Sequence, residues 1–140
     1  MSLADQYFTQ AGSGRAPTAP GRFVDLKGSA DKVQFLEGLE FRYLLGESTM
    51  LMAVHFDPHT EAPSHVHDEE QITLVVEGEL EFEFETETRI LRPGEVAVIP
   101  ANVRHAARTK DVPCLEYDVF NPPRQALLDL ADRARKAREQ

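Results

Sequence analysis

Tryptophan is absent from this chain, and cysteine occurs once, at Cys114. A single thiol closes no internal disulfide, so the fold must be held by its core, and a reducing, cytoplasmic setting is expected. No apolar run reaches the roughly 20 residues of a membrane-spanning helix. No charged-then-apolar leader opens the sequence either, so no membrane partner is expected. Positive charge is scarce: 15 Lys and Arg stand against 24 Asp and Glu, a formal net charge of −9. Phosphate backbones are bound by clustered cations, so no nucleic-acid partner is expected. A small-molecule substrate, even an anionic one, is compatible with this charge, because a metal and one arginine override a distant field.

What remains is the composition of an ordinary folded domain. The 140 residues, 41 % hydrophobic and 28 % charged, suit one domain with a sizeable core. Residues 9–21 are rich in glycine, proline and small side chains and lack the apolar periodicity of a core element. Residues 1–22 are therefore expected to form a partly flexible N-terminal arm. Leu39, Phe41, Tyr43 and Leu45 share one parity, the mark of a half-buried strand. Residues 50–56 are apolar on both parities up to His55, which predicts a strand covered on both sides with His55 as a hydrogen-bonded core residue.

Residues 79–87 alternate most regularly, with five glutamates on one parity and Leu80, Phe82 and Phe84 on the other. That predicts one antiparallel strand with a solvated acidic face. It is no calcium site, because carboxylates splayed along a strand do not converge on an ion. Residues 72–76 are apolar on both parities. Ile72, Leu74 and Val76 thus need a cover, either the arm or a second protomer, and a homodimer is expected. Past Asn121-Pro122-Pro123, apolar residues recur at helical spacing and cations gather late, which predicts a helix over 122–140 packed on the body. The expected fold is all-β: a single jelly-roll β-barrel over residues 23–121, between a flexible N-terminal arm and a C-terminal α-helix.

One cluster carries chemistry. His65 and His67 are two apart, and side chains two apart on an extended chain point the same way. Gln71 follows at the start of a strand-like run closed by Gly78, and His105 follows Gly94 and Pro100. Imidazoles and a carbonyl oxygen together suit one divalent transition metal per chain, be it Zn, Ni, Mn, Fe or Co. All four donors are neutral, so the ion keeps its full double charge. That favours Lewis-acid work over cycling to a trivalent state.

These segments resemble the two motifs of the cupin superfamily, with His65, His67, Gln71 and Gly78 in register with the first and Gly94, Pro100 and His105 with the second. Four positions depart: His59 and Asn102 stand where glycines are usual, Gln71 replaces glutamate and Thr109 replaces asparagine. His59 is either a spare imidazole or a turn residue. Within the cupins, residues 50–128 look like the KdgF-type proteins of pectin and alginate breakdown. The likeness lies in Gln71-Ile72-Thr73, Val75-Val76-Glu77-Gly78, residues 99–103 and the tail Asp118-Val119-Phe120-Asn121-Pro122-Pro123-Arg124. The resemblance implies the same three-histidine-plus-glutamine metal set. It also implies opening of 4,5-unsaturated uronates into linear keto acids, with Asp118, Phe120 and Arg124 in the active site. Arg124 offers a fork for a carboxylate, Asp118 a proton carrier and Phe120 a wall. Structural roles for the three are an equal alternative. Other readings within the superfamily are a quercetinase-like dioxygenase, a non-catalytic ligand-binding module and a cyclase. The last needs a wide aromatic pocket that 8 % aromatics do not advertise.

Overall fold

Strand alternation turns one side of each strand inward, and ten strands among the described residues close around that inward side. The computed structural model describes residues 1–10, 12–28 and 31–139. Ala11 of the expected arm and Gln140 of the expected helix lie outside the described residues. The strands are β1 Val33–Leu36, β2 Leu39–Leu45, β3 Met50–Phe56, β4 Glu61–His65, β5 Glu70–Gly78, β6 Leu80–Phe84, β7 Thr88–Leu91, β8 Val96–Ile99, β9 His105–Arg108 and β10 Cys114–Asn121. Helices α1 (Leu3–Thr9) and α2 (Gln125–Arg138) flank them. One sheet runs β1-β2-β3-β10-β5-β8 and the other β4-β9-β6-β7, all neighbours antiparallel. The jelly-roll barrel and the C-terminal helix expected from the pattern are present.

Register decides what each level of the barrel holds. Across the larger sheet, Gln71, Phe120 and Met50 share one rung, Thr73, Asp118 and Met52 the next, and Val75, Glu116 and Val54 the third. Their side chains are buried, and with Phe41, Leu80 and Ile99 they line or fill the interior. Cys114 lies on the same inward parity, its thiol pushed up to about 12 by burial, so it is packing and not a nucleophile.

Turns fix that register. Glu95 N–H donates to the Arg92 carbonyl at 2.9 Å, with Pro93 and Gly94 (φ 88°) between, a type II arrangement that needs φ > 0 at its third residue. Asn102 (φ 64°) and His59 (φ 56°) occupy the same left-handed region, so both substitutions of usual glycines keep the glycine conformation at a modest cost. Gly78 (φ 81°) is more constrained, because a Cβ there would run into the carbonyl oxygen of Pro113. Gly78→Ala is expected to lose at least about 1–3 kcal/mol, read as a lower urea midpoint at unchanged slope. An unchanged midpoint would contradict this reading of the β5–β6 junction.

Three expectations need correction. The acidic alternation does not form one strand: β6 ends at Phe84 and the chain turns back, with Phe84 N–H donating to the Glu87 carbonyl at 2.8 Å. Within β6 the acidic face meets β9, where Arg108 reaches Glu81 at 2.7 Å and Glu83 at 3.2 Å. Second, β3 is covered on one side only, its residues alternating between buried and partly exposed. Third, His55 sits on that outer side, its side chain 44 % exposed and 3.6 Å from Asp57, so it is not a core residue. Apolar content on both parities reports low polarity, and only the sheet's surroundings decide whether the outer side is covered. Around β5 it is not: Ile72, Val98 and Val119 lie side by side and exposed, and no described part of the arm seals them.

The arm begins with α1, closed by a capping box between Ser2 and Asp5, which alternation over the strands did not reveal. Helix α2 starts after Arg124 and turns Leu127 and Ala131 inward.

Candidate metal centre

Strand ends bring the sequence cluster together. His65 closes β4 and His105 opens β9, and these two residues are direct partners in the ladder. His67 follows in the segment to β5, and Gln71 is the second residue of that strand. The ligand atoms of His65, His67 and His105 lie within 4.8 Å of one another. His67, Gln71 and His105 are buried, and His65 lies at the mouth.

Each imidazole is oriented through its other nitrogen. The Nδ1 atoms of His65, His67 and His105 lie 2.7, 2.9 and 2.8 Å from the carbonyl oxygens of Pro63, Glu69 and Val103. Carbonyls only accept, so Nδ1–H donates and each Nε2 keeps its lone pair. Holding the ring by a backbone carbonyl is how metal-binding histidines are commonly aimed. Gln71 is held in the same manner. Its Nε2 donates to Thr73 Oγ1 at 2.9 Å and Asp118 Oδ1 at 3.2 Å, which turns Oε1 toward His67 Nε2 at 2.9 Å.

Those last two atoms are both acceptors. Two lone pairs facing across that distance repel unless a cation lies between them. Two ligands at about 2.1 Å from one ion and at right angles stand about 3 Å apart. His105 Nε2 is likewise buried with no hydrogen-bond partner, an orphan that a metal bond would satisfy. Burial depresses the His105 pKa to about 4, and burial together with the Arg124 charge lowers that of His67. At neutral pH both rings are unprotonated, the form that ligates. The residues present thus fit one divalent ion.

Around this set lie the other groups singled out from the sequence. Asp118 Oδ1 accepts the Thr73 hydroxyl at 2.6 Å in addition to the Gln71 amide. Phe120 is buried, its ring centroid 5.9 Å from that of His67. Arg124 lies over the Phe120 ring at 5.7 Å. Its Nε is 3.3 Å from Glu69 Oε1, close enough for an ion pair but not aligned as a hydrogen bond. Glu69 is thus the carboxylate within ion-pair distance of Arg124 among the described residues. His59 stays out of the centre, 71 % exposed and 3.3 Å from Asp111, as a turn residue. Thr109 secures that turn instead, its hydroxyl donating to the Asp57 carbonyl at 2.5 Å.

Sequence reasoning missed two residues. Glu69, outside the motif positions, partners Arg124. Glu116, 4 % exposed, went unnoticed although it shares the inward parity of Cys114, Asp118 and Phe120. His65, Gln71, His105, Glu116, Asp118, Phe120 and Arg124 line one cavity of about 460 Å³.

Comparison with known proteins identifies the fold family. A family model for the cupin domain matches residues 52–120, the stretch from β3 to β10. KdgF from Halomonas sp. is 30 % identical with a TM-score of 0.66, over 69 % of this chain and 92 % of that one. An RmlC-like cupin from Shewanella frigidimarina is 23 % identical with a TM-score of 0.69, over 76 % and 96 %. The DMSP lyase DddQ from Ruegeria pomeroyi is 27 % identical with a TM-score of 0.58, over 71 % and 54 %. A search of curated proteins gives no match.

Proposed function

The chain belongs to the cupin superfamily, and from that premise we propose that it is a non-redox metalloenzyme acting on a small oxygenated carboxylic acid. The concrete reaction is conversion of a 4,5-unsaturated uronate to a linear keto acid, supported by the 30 % identity to KdgF. The observation that carries the reading is the Gln71 side chain, a neutral fourth donor whose amide is tied to Asp118. It links a ligand set that leaves the ion's charge uncancelled to an acid–base group.

When bound, the metal would supply Lewis-acid polarisation of a substrate oxygen. Arg124, beside the cavity mouth and over Phe120, binds the substrate carboxylate, for which its planar fork is suited. Asp118 takes the proton of the hemiacetal hydroxyl as the ring C–O bond breaks, leaving a carbonyl at one end and an enolate at the other. It then returns that same proton to the enolate carbon, so substrate and product are isomers. Thr73 holds Asp118 at 2.6 Å, and Phe120 keeps water from that face of the ring. Incubation of the metal-loaded protein with unsaturated uronates tests this. Conjugated ultraviolet absorbance should disappear faster than in buffer, without oxygen uptake. Rates equal to buffer across several such uronates would reject the uronate reaction.

We also propose that the active form is a homodimer closed over Ile72, Val98 and Val119. These three adjoin in register and leave an apolar patch of the kind that marks an interface. Light scattering at micromolar concentration is expected to give twice the 15.7 kDa chain mass, and Val98→Lys is expected to halve it. A wild-type monomer would contradict the proposal.

A further inference from the structure

The cavity does not end at the metal centre. Along β10 the inward side chains are Phe120, Asp118, Glu116 and Cys114. Asp118 shares its rung with Thr73, at the polar end. Glu116 lies two residues further, about 7 Å deeper at roughly 3.4 Å per residue. Its rung neighbours are Val75 on β5 and Val54 on β3, and beyond Val54 comes Phe41 on β2. The cavity's apolar walls include Phe41, Val54, Phe56, Leu80 and Phe82, with Met52 one rung nearer the polar end. The whole cavity, about 460 Å³, equals about fifteen waters of liquid at roughly 30 Å³ each.

Glu116 is the one ionisable group on this inner stretch. Its Oε2 is buried with no hydrogen-bond partner. Burial first, and then Asp118, to which its side chain is hydrogen-bonded, push its pKa well above the usual carboxylate range; Oε2 is the oxygen left free for a ligand. A buried polar atom without a partner is costly, and a cavity wall is where a ligand can supply the missing one. A sugar acid carries a hydroxyl on nearly every ring carbon. Pushed this deep, it would set several of them against phenylalanine and methionine with nothing to bond.

We propose that the preferred substrate is amphipathic, with an oxygenated carboxylate head between the metal site and Arg124 and a largely apolar body in the inner chamber, where one polar group of that body meets Glu116. The head rests on the reading of the metal centre given above, and a simple uronate presents that head without the body. Glu116 then sets specificity, as a hydrogen-bonding post in an otherwise apolar wall, and takes no part in bond breaking.

Calorimetric titration of the metal-loaded protein with 2-oxo acids that share one head and differ in body tests the inference. Across pyruvate, 2-oxobutyrate and 2-oxohexanoate, binding is expected to tighten about fourfold per methylene. 4-Hydroxyphenylpyruvate is expected to bind about fivefold more tightly than phenylpyruvate, the worth of one hydrogen bond in a buried site. Glu116→Leu should erase that preference while keeping the gain per methylene, and Glu116→Gln should retain it. Val54→Phe, which fills the chamber, should flatten the methylene series and leave pyruvate binding unchanged. A flat series in the wild type, with pyruvate binding still dependent on metal, would overturn the inference and leave the metal centre standing. A steep series that persists after removal of metal and in Arg124→Ala would support the chamber and overturn the reading of the head.

Discussion

Replacing His105 with alanine is expected to remove nearly all bound metal, from about one ion per chain to less than about a tenth. His105 is the most buried imidazole of the set, at 3 % exposure, and its Nε2 has no other partner. Mutating mere supporting partners of metal ligands costs about 10–100-fold in affinity, so deleting a ligand should cost at least the upper figure. Metal content by elemental analysis reads this directly. Thermal unfolding reads it independently: metal at about 100 times its Kd stabilises the wild type by about 2.7 kcal/mol, and the variant should show almost none of this. His59→Ala is the control and should keep its metal, because His59 pairs with Asp111 at the surface. Equal metal content in His105→Ala and wild type would refute the four-residue site.

Asp118→Asn should lower kcat by about 10²–10⁴ on an unsaturated uronate, the usual worth of a positioned acid–base group. Asparagine keeps the shape and still accepts from Thr73 and Gln71 through its carbonyl oxygen, so metal content should not fall. Loss of activity with retained metal separates proton transfer from ligand positioning. Arg124→Ala should instead raise KM more than it lowers kcat, as for a group that binds ground and transition states alike. Glu69→Gln serves beside it, since removing the Glu69 charge frees Arg124 for a carboxylate and should lower KM. If Asp118→Asn retains wild-type kcat, the proton carrier lies elsewhere on the cavity wall.

The clustering of the candidate metal ligands was legible because strand geometry maps sequence spacing onto space almost without remainder. Two histidines two apart, with a glutamine at a strand start and a third histidine past a glycine and a proline, admit few arrangements in a small barrel. Glu69 and Glu116 were not legible for a different reason. Glu69 matters through Arg124, which is remote in sequence and reaches it only once α2 has docked. Glu116 matters because of its rung, and rungs are set by pairings between strands that no local pattern records.

Side-chain parity, turn residues and ligand spacing, read from the chain alone, determined that it would form a strand-built barrel with a C-terminal helix and gather His65, His67, Gln71 and His105. These are local properties, governed by a strand period of two and by the few residues that accept a positive φ. Tertiary structure alone decided that the acidic run breaks into a hairpin and that His55 and the outer face of β3 look outward. It also decided that Arg124 meets Glu69 and that Glu116, bonded to Asp118, turns one unpartnered carboxyl oxygen to the cavity. The reason is that burial belongs to the assembled sheets. A side chain's parity tells which side it shares with its neighbours, and only packing tells what lies across from that side.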